Sequence, residues 1–464
     1  MSDEIAELPA YELVRLYRTG KLSPVEAAQA ALGRIEQHNA KFNAFCWLDA
    51  AAALASARLS EQRWRNGEPC GVLDGVPVSI KDLVLVKGAP TLRGSRTVAR
   101  DQAWDTDAPS VARLREHGAV LLGKTTTPEF GWKGVTDSPL AGTTRNPHNS
   151  HLTPGGSSGG AAVAVACGMG PLAIGSDGGG SIRIPASFTG IYGFKPSFGR
   201  VPVAPLSPMG TLAHLGPMSR SVKDAALMMN VITQPDLRDW HALPYDERDY
   251  CAALDQGVKG MRIAYSSNLG YANVEPEVSE IVAAAVRVFS DLGAQVEERH
   301  PGFANPYPIF VKHWTSGAAS FIAPMSDAQR DLVDPGLLRA AGAGMKVPLL
   351  DYLGAVYERG LLGQAMNLFH RDYDLLVTPT MPVPAFNVGQ NTPLTDDGGE
   401  TSDWSPFTFP FNLTQQPAAS IPCGFTKAGL PVGLQIVAAR YADALVLRAS
   451  RAFETVRPIV LPQL

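Results

Sequence analysis

The chain has 464 residues, 45% of them apolar, enough to bury a large core and, as a soft prior, enough for two or three domains. Forty Lys and Arg against 44 Asp and Glu leave a formal charge of −4, which offers no cationic footprint for nucleic acid or an anionic membrane. Five cysteines, at 46, 70, 167, 251 and 423, are odd in number and lack C-x-x-C spacing; this argues against a disulfide framework or a zinc site and favours a reducing, cytoplasmic compartment.

The opening Met-Ser-Asp-Glu lacks the basic and apolar regions of a secretory signal. Residues 5–64 predict helices. Ile5, Leu8, Leu13 and Leu16 keep helical spacing, Ser23-Pro-Val-Glu26 is a capping box with proline at the first helical position, and an alanine-rich helix follows Asp49. Leu73-Asp-Gly-Val-Pro-Val-Ser-Ile-Lys81 predicts a strand, and alternation should turn Asp82 away from Lys81. A helix from Asp107 to about His117 and a buried strand over 119–122 come next. Gly118-Ala-Val-Leu-Leu-Gly-Lys-Thr125 meets the letter of the phosphate-binding G-x-x-x-x-G-K-[ST] pattern. Its middle four residues read as a strand where that pattern needs a loop, so it predicts core structure.

Two Gly/Ser clusters then enclose an apolar run: Thr153-Pro-Gly-Gly-Ser-Ser-Gly-Gly160, and Ser176-Asp-Gly-Gly-Gly-Ser-Ile-Arg-Ile-Pro185. Between them a helix over 159–166 and a strand over 172–175 are expected; the run 161–175 is too short and too broken to span a membrane. Backbone N–H groups stripped of side chains and aimed at one point suit an oxyanion, and Ser181 ends such a run. None of the nine histidines sits in a recognisable triad context, and Ser181 does not sit in a G-x-S-x-G frame. A neutral lysine is the remaining route to a base. Residues 200–256 read as irregular and proline-rich. A βαβ unit follows (strand 262–265, helix 276–292, strand 295–298), then a mainly helical stretch 303–370 with interruptions such as Gly342-Ala-Gly344. Residues 380–403 predict a long exposed loop, and strands at 418–421 and 434–437 precede a helix at 443–454. Strands alternating with helices predict an α/β core.

Gly75-Val-Pro-Val-Ser-Ile-Lys-Asp82, Gly155-Gly-Ser-Ser-Gly-Gly160 and Asp177-Gly-Gly-Gly-Ser-Ile-Arg-Ile-Pro185 together resemble the amidase signature family. Gly123-Lys-Thr-Thr-Thr-Pro-Glu-Phe130, Gly193-Phe-Lys-Pro196, Tyr373-Asp-Leu-Leu-Val-Thr-Pro379, Pro410-Phe-Asn-Leu413 and Gly429-Leu-Pro-Val-Gly-Leu-Gln435 extend the likeness over about 5–456. The resemblance implies an α/β fold with a mixed, mostly parallel central sheet surrounded by helices. It implies one domain over 1–464, comprising a helical N-terminal part (1–65), a catalytic core (75–200) and a segment shaping the substrate pocket (303–404). Carried over residue by residue, Ser181 matches the nucleophile and Lys81 the base. Ser157, 24 residues before Ser181, matches the bridging serine that follows a cis peptide. The backbone N–H groups of Gly178, Gly179, Gly180 and Ser181 match the oxyanion donors. Gly178 departs from the pattern, since the family often has a larger residue there.

Asp177 and Arg183 are expected to form a structural ion pair clamping the glycine loop, with Ser158 supporting the site. Gly131, Trp132 and Tyr192 are candidates for the substrate side, with a plain core role equally open to Trp132 and Tyr192. His148 and His151 read as exposed loop histidines, and no metal or organic cofactor is expected. The implied activity is that of a stand-alone amidohydrolase using Ser-cisSer-Lys acyl transfer to water. Its substrates would be small neutral aryl or alkyl amides, with esters and carbamates open to the same acyl-enzyme path. The alternative is the glutamine-hydrolysing A subunit of a tRNA-dependent amidotransferase. Against it, 230–370 shows no recognisable counterpart of that protein's middle region, and 303–370 and 380–403 offer few positive charges for a free carboxylate. The expected partners are a small amide and water, not nucleic acid or membrane, and a homodimer is allowed for.

Overall fold

The Ser23 hydroxyl accepts a hydrogen bond from the Val25 N–H at 3.0 Å, and the Glu26 carboxylate accepts one from the Ser23 N–H at 2.8 Å. With two orphan donors satisfied, helix Pro24–Phe42 begins there. The computed structural model describes residues 2–395, 399, 401 and 404–464. Helices Pro109–Glu116, Gly159–Ala166, Pro276–Asp291 and Asp443–Val456 stand where their sequence signals lie.

In chain order the strands are β1 (Phe45–Leu48), β2 (Pro77–Lys81), β3 (Val120–Thr125), the short pair β4 (Asp137–Ser138) and β5 (Gly142–Thr143), β6 (Leu172–Asp177) and β7 (Tyr192–Lys195). They continue with β8 (His214–Ser219), β9 (Arg262–Tyr265), β10 (Gln295–Glu298), β11 (Leu375–Pro379), β12 (Ala418–Phe425) and β13 (Pro431–Ala438). Eleven of them form one sheet in the order β1-β3-β2-β6-β8-β7-β12-β13-β11-β9-β10, and β4 and β5 pair separately. The sheet is mixed, but it is not mostly parallel. Parallel pairing is confined to β3-β2-β6 and to β11-β9-β10, while the other six pairings are antiparallel. The reason lies in the connections: β12 and β13 form a hairpin across 426–430, and β8 runs against both its neighbours.

Two elements depart from the sequence reading. β1 interrupts what reads as continuous helix, because four residues between alanine-rich helices leave almost no period to detect. β8 and helix Val222–Ile232 occupy a stretch that reads as irregular. β8 contains Gly216 and Pro217, which are turn signals. Pro217 is tolerated in the interior because β7 pairs only with Met218 and Ser219. Residues 303–370 form helices Tyr307–Ile322, Asp327–Arg330, Pro335–Gly344 and Leu349–Phe369, so Gly342 lies inside a helix and Gly344 is its last residue.

The expected loop 380–403 falls partly outside the described residues, at 396–398, 400, 402 and 403. Its first part is not exposed. Met381 and Ala385 are buried beside Ile184 and Phe188. The Thr153 N–H donates to the Phe386 carbonyl at 2.8 Å, and the Val388 N–H to that of His151 at 3.0 Å. No helix among the described residues is long and apolar enough to cross a membrane.

Candidate active site

Parallel pairing sets Ile80 of β2 opposite Ile174 of β6, so Lys81 and Ser176 leave neighbouring strands at the same end. Helix Gly159–Ala166 packs on both strands, and the turn before it delivers Ser157 and Ser158 to that end. The Gly156–Ser157 peptide is cis. Lys81 is fully buried. Its Nζ lies 2.7 Å from Ser157 Oγ, 2.9 Å from Ser158 Oγ and 2.9 Å from Ser176 Oγ. The Ser158 hydroxyl donates to the Ser176 carbonyl at 3.1 Å and accepts from the Ser176 N–H at 3.2 Å.

Burial pushes the Lys81 pKa well below its ordinary value, overriding the opposite pull of the Asp177 charge. Asp82 does not face this amine. Its carboxylate lies 3.6 Å from Lys124 Nζ and accepts from the Gly94 N–H at 3.3 Å. Lys124, in the segment that mimics a phosphate loop, is buried in β3 and donates to the Val84 carbonyl and Thr91 Oγ1, both at 2.6 Å. That segment is a core strand.

The loop carrying Ser181 is organised by the Asp177 carboxylate. Oδ1 accepts from the Gly180 N–H at 2.7 Å, and Oδ2 from the Ile182 N–H at 3.1 Å. Arg183 grips the same carboxylate through Nη2 at 2.9 Å and Nε at 3.0 Å. Its remaining N–H groups reach the Thr408 carbonyl at 2.9 Å, Gln435 Oε1 at 2.8 Å and Asn412 Oδ1 at 2.6 Å. Burial alone would raise the Asp177 pKa, but the Arg183 guanidinium outweighs it and holds the carboxyl well below the usual range. Gly180 has φ +134°, and a Cβ there would stand 2.4 Å from Thr408 Oγ1, so only glycine fits.

Gly180 is a correction to the donor set. Its N–H is taken by Asp177, whereas those of Gly178, Gly179 and Ser181 have no acceptor among the described residues. Ser157 and Ser181 line one cavity, and the Ser158 N–H donates to the Ser181 carbonyl at 3.1 Å. No hydrogen bond joins the Ser157 and Ser181 hydroxyls among the described residues.

The cavity wall is mainly apolar, with Leu83, Phe130, Leu206, Met209, Trp314 and Phe321 prominent in it. Gly131 is part of that wall. Trp132 is not, because its ring packs under Gly336, where a Cβ would meet it at 2.5 Å. Tyr192 is not either. It is fully buried in β7 and donates to Ser450 Oγ of the C-terminal helix at 3.1 Å. His151 is exposed, but His148 is half-buried with Nε2 3.1 Å from the Thr189 carbonyl, and burial lowers its pKa.

Sequence reasoning missed Ser176, Arg93, segment 203–209 and the pair Trp314 and Phe321 as parts of this site. Ser176 had a signal, since it sits next to Asp177 at the end of a predicted strand. Trp314 and Phe321, seven residues apart on one helix, had the weaker signal of a shared face.

The amidase family model matches residues 26–447. An acylamidase of Rhodococcus erythropolis is 39% identical over 458 residues, covering 97% of this chain and 96% of the relative. The A subunit of the glutamyl-tRNA(Gln) amidotransferase of Myxococcus xanthus (strain DK1622) is 36% identical over 477 residues, covering 97% of each. Among solved structures, a bacterial aryl acylamidase of the amidase signature family superposes with a TM-score of 0.91 at 33% identity, covering 97% of this chain and 96% of that one. The 6-aminohexanoate cyclic dimer hydrolase complexed with substrate gives a TM-score of 0.89 at 28% identity, covering 99% of each chain.

Proposed function

The chain belongs to the amidase family, and on that premise we propose that it is a stand-alone serine amidohydrolase that opens carboxylic amide C–N bonds through an acyl-enzyme on Ser181. The observation that carries this reading is Lys81, fully buried and ringed by three hydroxyls. A neutral amine has two N–H donors and one lone pair. Ser158 gives its own proton to the Ser176 carbonyl, so it accepts from Lys81. In the proposed arrangement Ser176 Oγ takes the second N–H. The lone pair is left for Ser157, whose Oγ is the nearest of the three. Lys81 is thereby oriented as a base toward Ser157.

In the proposed cycle Ser157 passes its proton to Lys81 and takes one from Ser181 as the Ser181 hydroxyl turns toward it. Ser181 Oγ attacks the amide carbon. The developing oxyanion accepts hydrogen bonds from the N–H groups of Gly178, Gly179 and Ser181. Collapse breaks the C–N bond, and the proton held on Lys81 returns through Ser157 to the departing nitrogen. Water then attacks the ester by the same relay, releasing a carboxylic acid and restoring Ser181. Asp177 and Arg183 hold the loop and take no part in proton transfer. Five unpaired cysteines accord with a cytoplasmic location.

The second reading, that of the amidotransferase component, is favoured by the 36% identical relative. That likeness spans 97% of both chains, so the middle region, whose counterpart is not recognisable in the sequence alone, does not separate the two readings. The cavity favours the stand-alone reading: among the described residues no carboxylate lines it to pair with the ammonium of glutamine. The purified chain, without any second protein, should release nitroaniline from 4-nitroacetanilide faster than ammonia from glutamine. Glutaminase activity well above anilide hydrolysis, or obligate co-purification with another chain, would move the assignment to the amidotransferase.

A further inference from the structure

Arg93 is the only formally charged residue among the described residues lining the cavity beside Ser181. The other titratable cation there, His214, is kept neutral because burial holds its pKa well below the usual value. Three other buried or half-buried arginines have acceptors, although Arg220 Nε has none among the described residues. Arg183 uses all five donors, Arg220 reaches the Ala6 and Leu8 carbonyls, and Arg359 those of Leu413 and Thr211. The Arg93 guanidinium has no hydrogen-bond or ion-pair partner among the described residues. It is partly buried, and that burial disfavours its charge. Its nitrogens are not among the buried unpartnered atoms, so they keep contact with solvent in the cavity, where an entering carboxylate meets donors that no protein group has claimed.

The backbone holds Arg93 in place. Its φ is 58°, in the left-handed region, and Gly94 follows at 64°, an arrangement that costs a non-glycine residue about 1–2 kcal/mol. The N–H groups of Leu92, Arg93 and Gly94 converge on the Asp82 carboxylate, and the Phe130 N–H donates to the Arg93 carbonyl at 2.8 Å. Asp82 is thereby committed to this turn and to Lys124, which leaves the guanidinium free for a ligand. The loop carrying Arg93 is thus tied to the residue directly after the proposed base.

We propose that Arg93 is a specificity-determining residue that selects amides carrying a single carboxylate on an otherwise apolar acyl or amine portion. The inference rests on the amidohydrolase reading and narrows its substrate class. A planar guanidinium binds a carboxylate through two parallel hydrogen bonds, while the surrounding apolar wall receives the rest of the molecule. A zwitterion such as glutamine brings an ammonium for which the wall has no partner.

The test compares kcat/KM for 4-nitroacetanilide, for the nitroanilide of succinic acid (carboxylate on the acyl side) and for 4-acetamidobenzoate (carboxylate on the amine side). Wild type should favour one of the two carboxylates over the neutral anilide, and the favoured one tells which side Arg93 serves. Arg93→Met should lower that preference by about ten- to a hundredfold, mainly through KM, and Arg93→Lys should restore part of it. Wild type indifferent to both carboxylates, or a preference that survives Arg93→Met, overturns the proposal. Calorimetric binding of 3-phenylpropionate to wild type and Arg93→Met reads the same residue without turnover: equal binding to the two folded proteins also overturns it. Failure to hydrolyse any anilide, together with no fluorophosphonate labelling of Ser181, would instead count against the amidohydrolase reading, and the binding comparison would still decide the role of Arg93.

Discussion

In the proposed cycle Lys81 is the base, a role only its neutral form can fill, so the direction of its pKa shift sets the expected pH dependence. Burial lowers the folded-state value, and activity is therefore lost as pH falls through that depressed value and is full above it. The expected profile rises with pH through the depressed Lys81 value to a plateau. Lys81→Ala should reduce kcat by about 10²–10⁴. Ser157→Ala should cost less, because a water can stand between Lys81 and Ser181. Full turnover in Lys81→Ala, with loss on replacing His148 or His151 instead, would contradict the assignment. At this scale the sequence pointed to residues that the structure brings together around Lys81, and it was poor about walls. The composition of the Gly/Ser runs pointed to Ser181 and its loop, while Ser157 and Lys81 were expected from the resemblance. Trp132 and Tyr192 are large aromatics near those runs, and nothing in their spacing tells a pocket wall from a core; the pairing of Tyr192 with Ser450, 258 positions away, settles it only in three dimensions.

At the scale of elements, the loop 177–183 is a turn held by one ion pair with no exposure to water. Replacing Arg183 with Met would leave the Asp177 carboxylate buried and unpaired, at a cost of about 3–5 kcal/mol. A urea titration should show that loss as a lower midpoint, with kcat falling alongside it; an unchanged midpoint would mean that the clamp is dispensable. Gly178 adds a separate expectation. A Cβ there would lie 3.0 Å from the Trp314 ring, and its φ is not in the left-handed region, so the backbone accepts a side chain while the pocket does not. Gly178→Thr should keep the oxyanion N–H groups but narrow the cavity, lowering kcat/KM for an anilide more than for acetamide. Equal loss on both substrates would show that the loop itself had moved. Elements with a strong period, such as helix Pro276–Asp291 between β9 and β10, were legible. β8 was not, because its Gly216 and Pro217 signal a turn, and only its neighbours make it a strand.

For the whole molecule, the sheet solves a problem of distance along the chain. β2 and β6 bring Lys81, Ser176 and Asp177 to one end, the helix between β3 and β6 adds Ser157 and Ser158, and helix Tyr307–Ile322 closes the cavity with Trp314 and Phe321. The α/β class was readable because each strand carries its own apolar run. The balance of parallel and antiparallel pairs was not, because it depends on which distant strands become neighbours. The pocket likewise draws its walls from around 83–93, 130–131, 203–215 and 314–321, segments that share no local pattern. The central claim, that Ser181 carries the acyl group and Lys81 activates it, is met most directly by trapping. An activated aryl ester mixed with the enzyme, acid-quenched and digested for mass spectrometry, should place the acyl group on Ser181 in wild type and far more slowly on the same residue in Lys81→Ala. An acyl group found on Ser157 or any other residue, or one that forms on Ser181 at an undiminished rate without Lys81, would contradict the account.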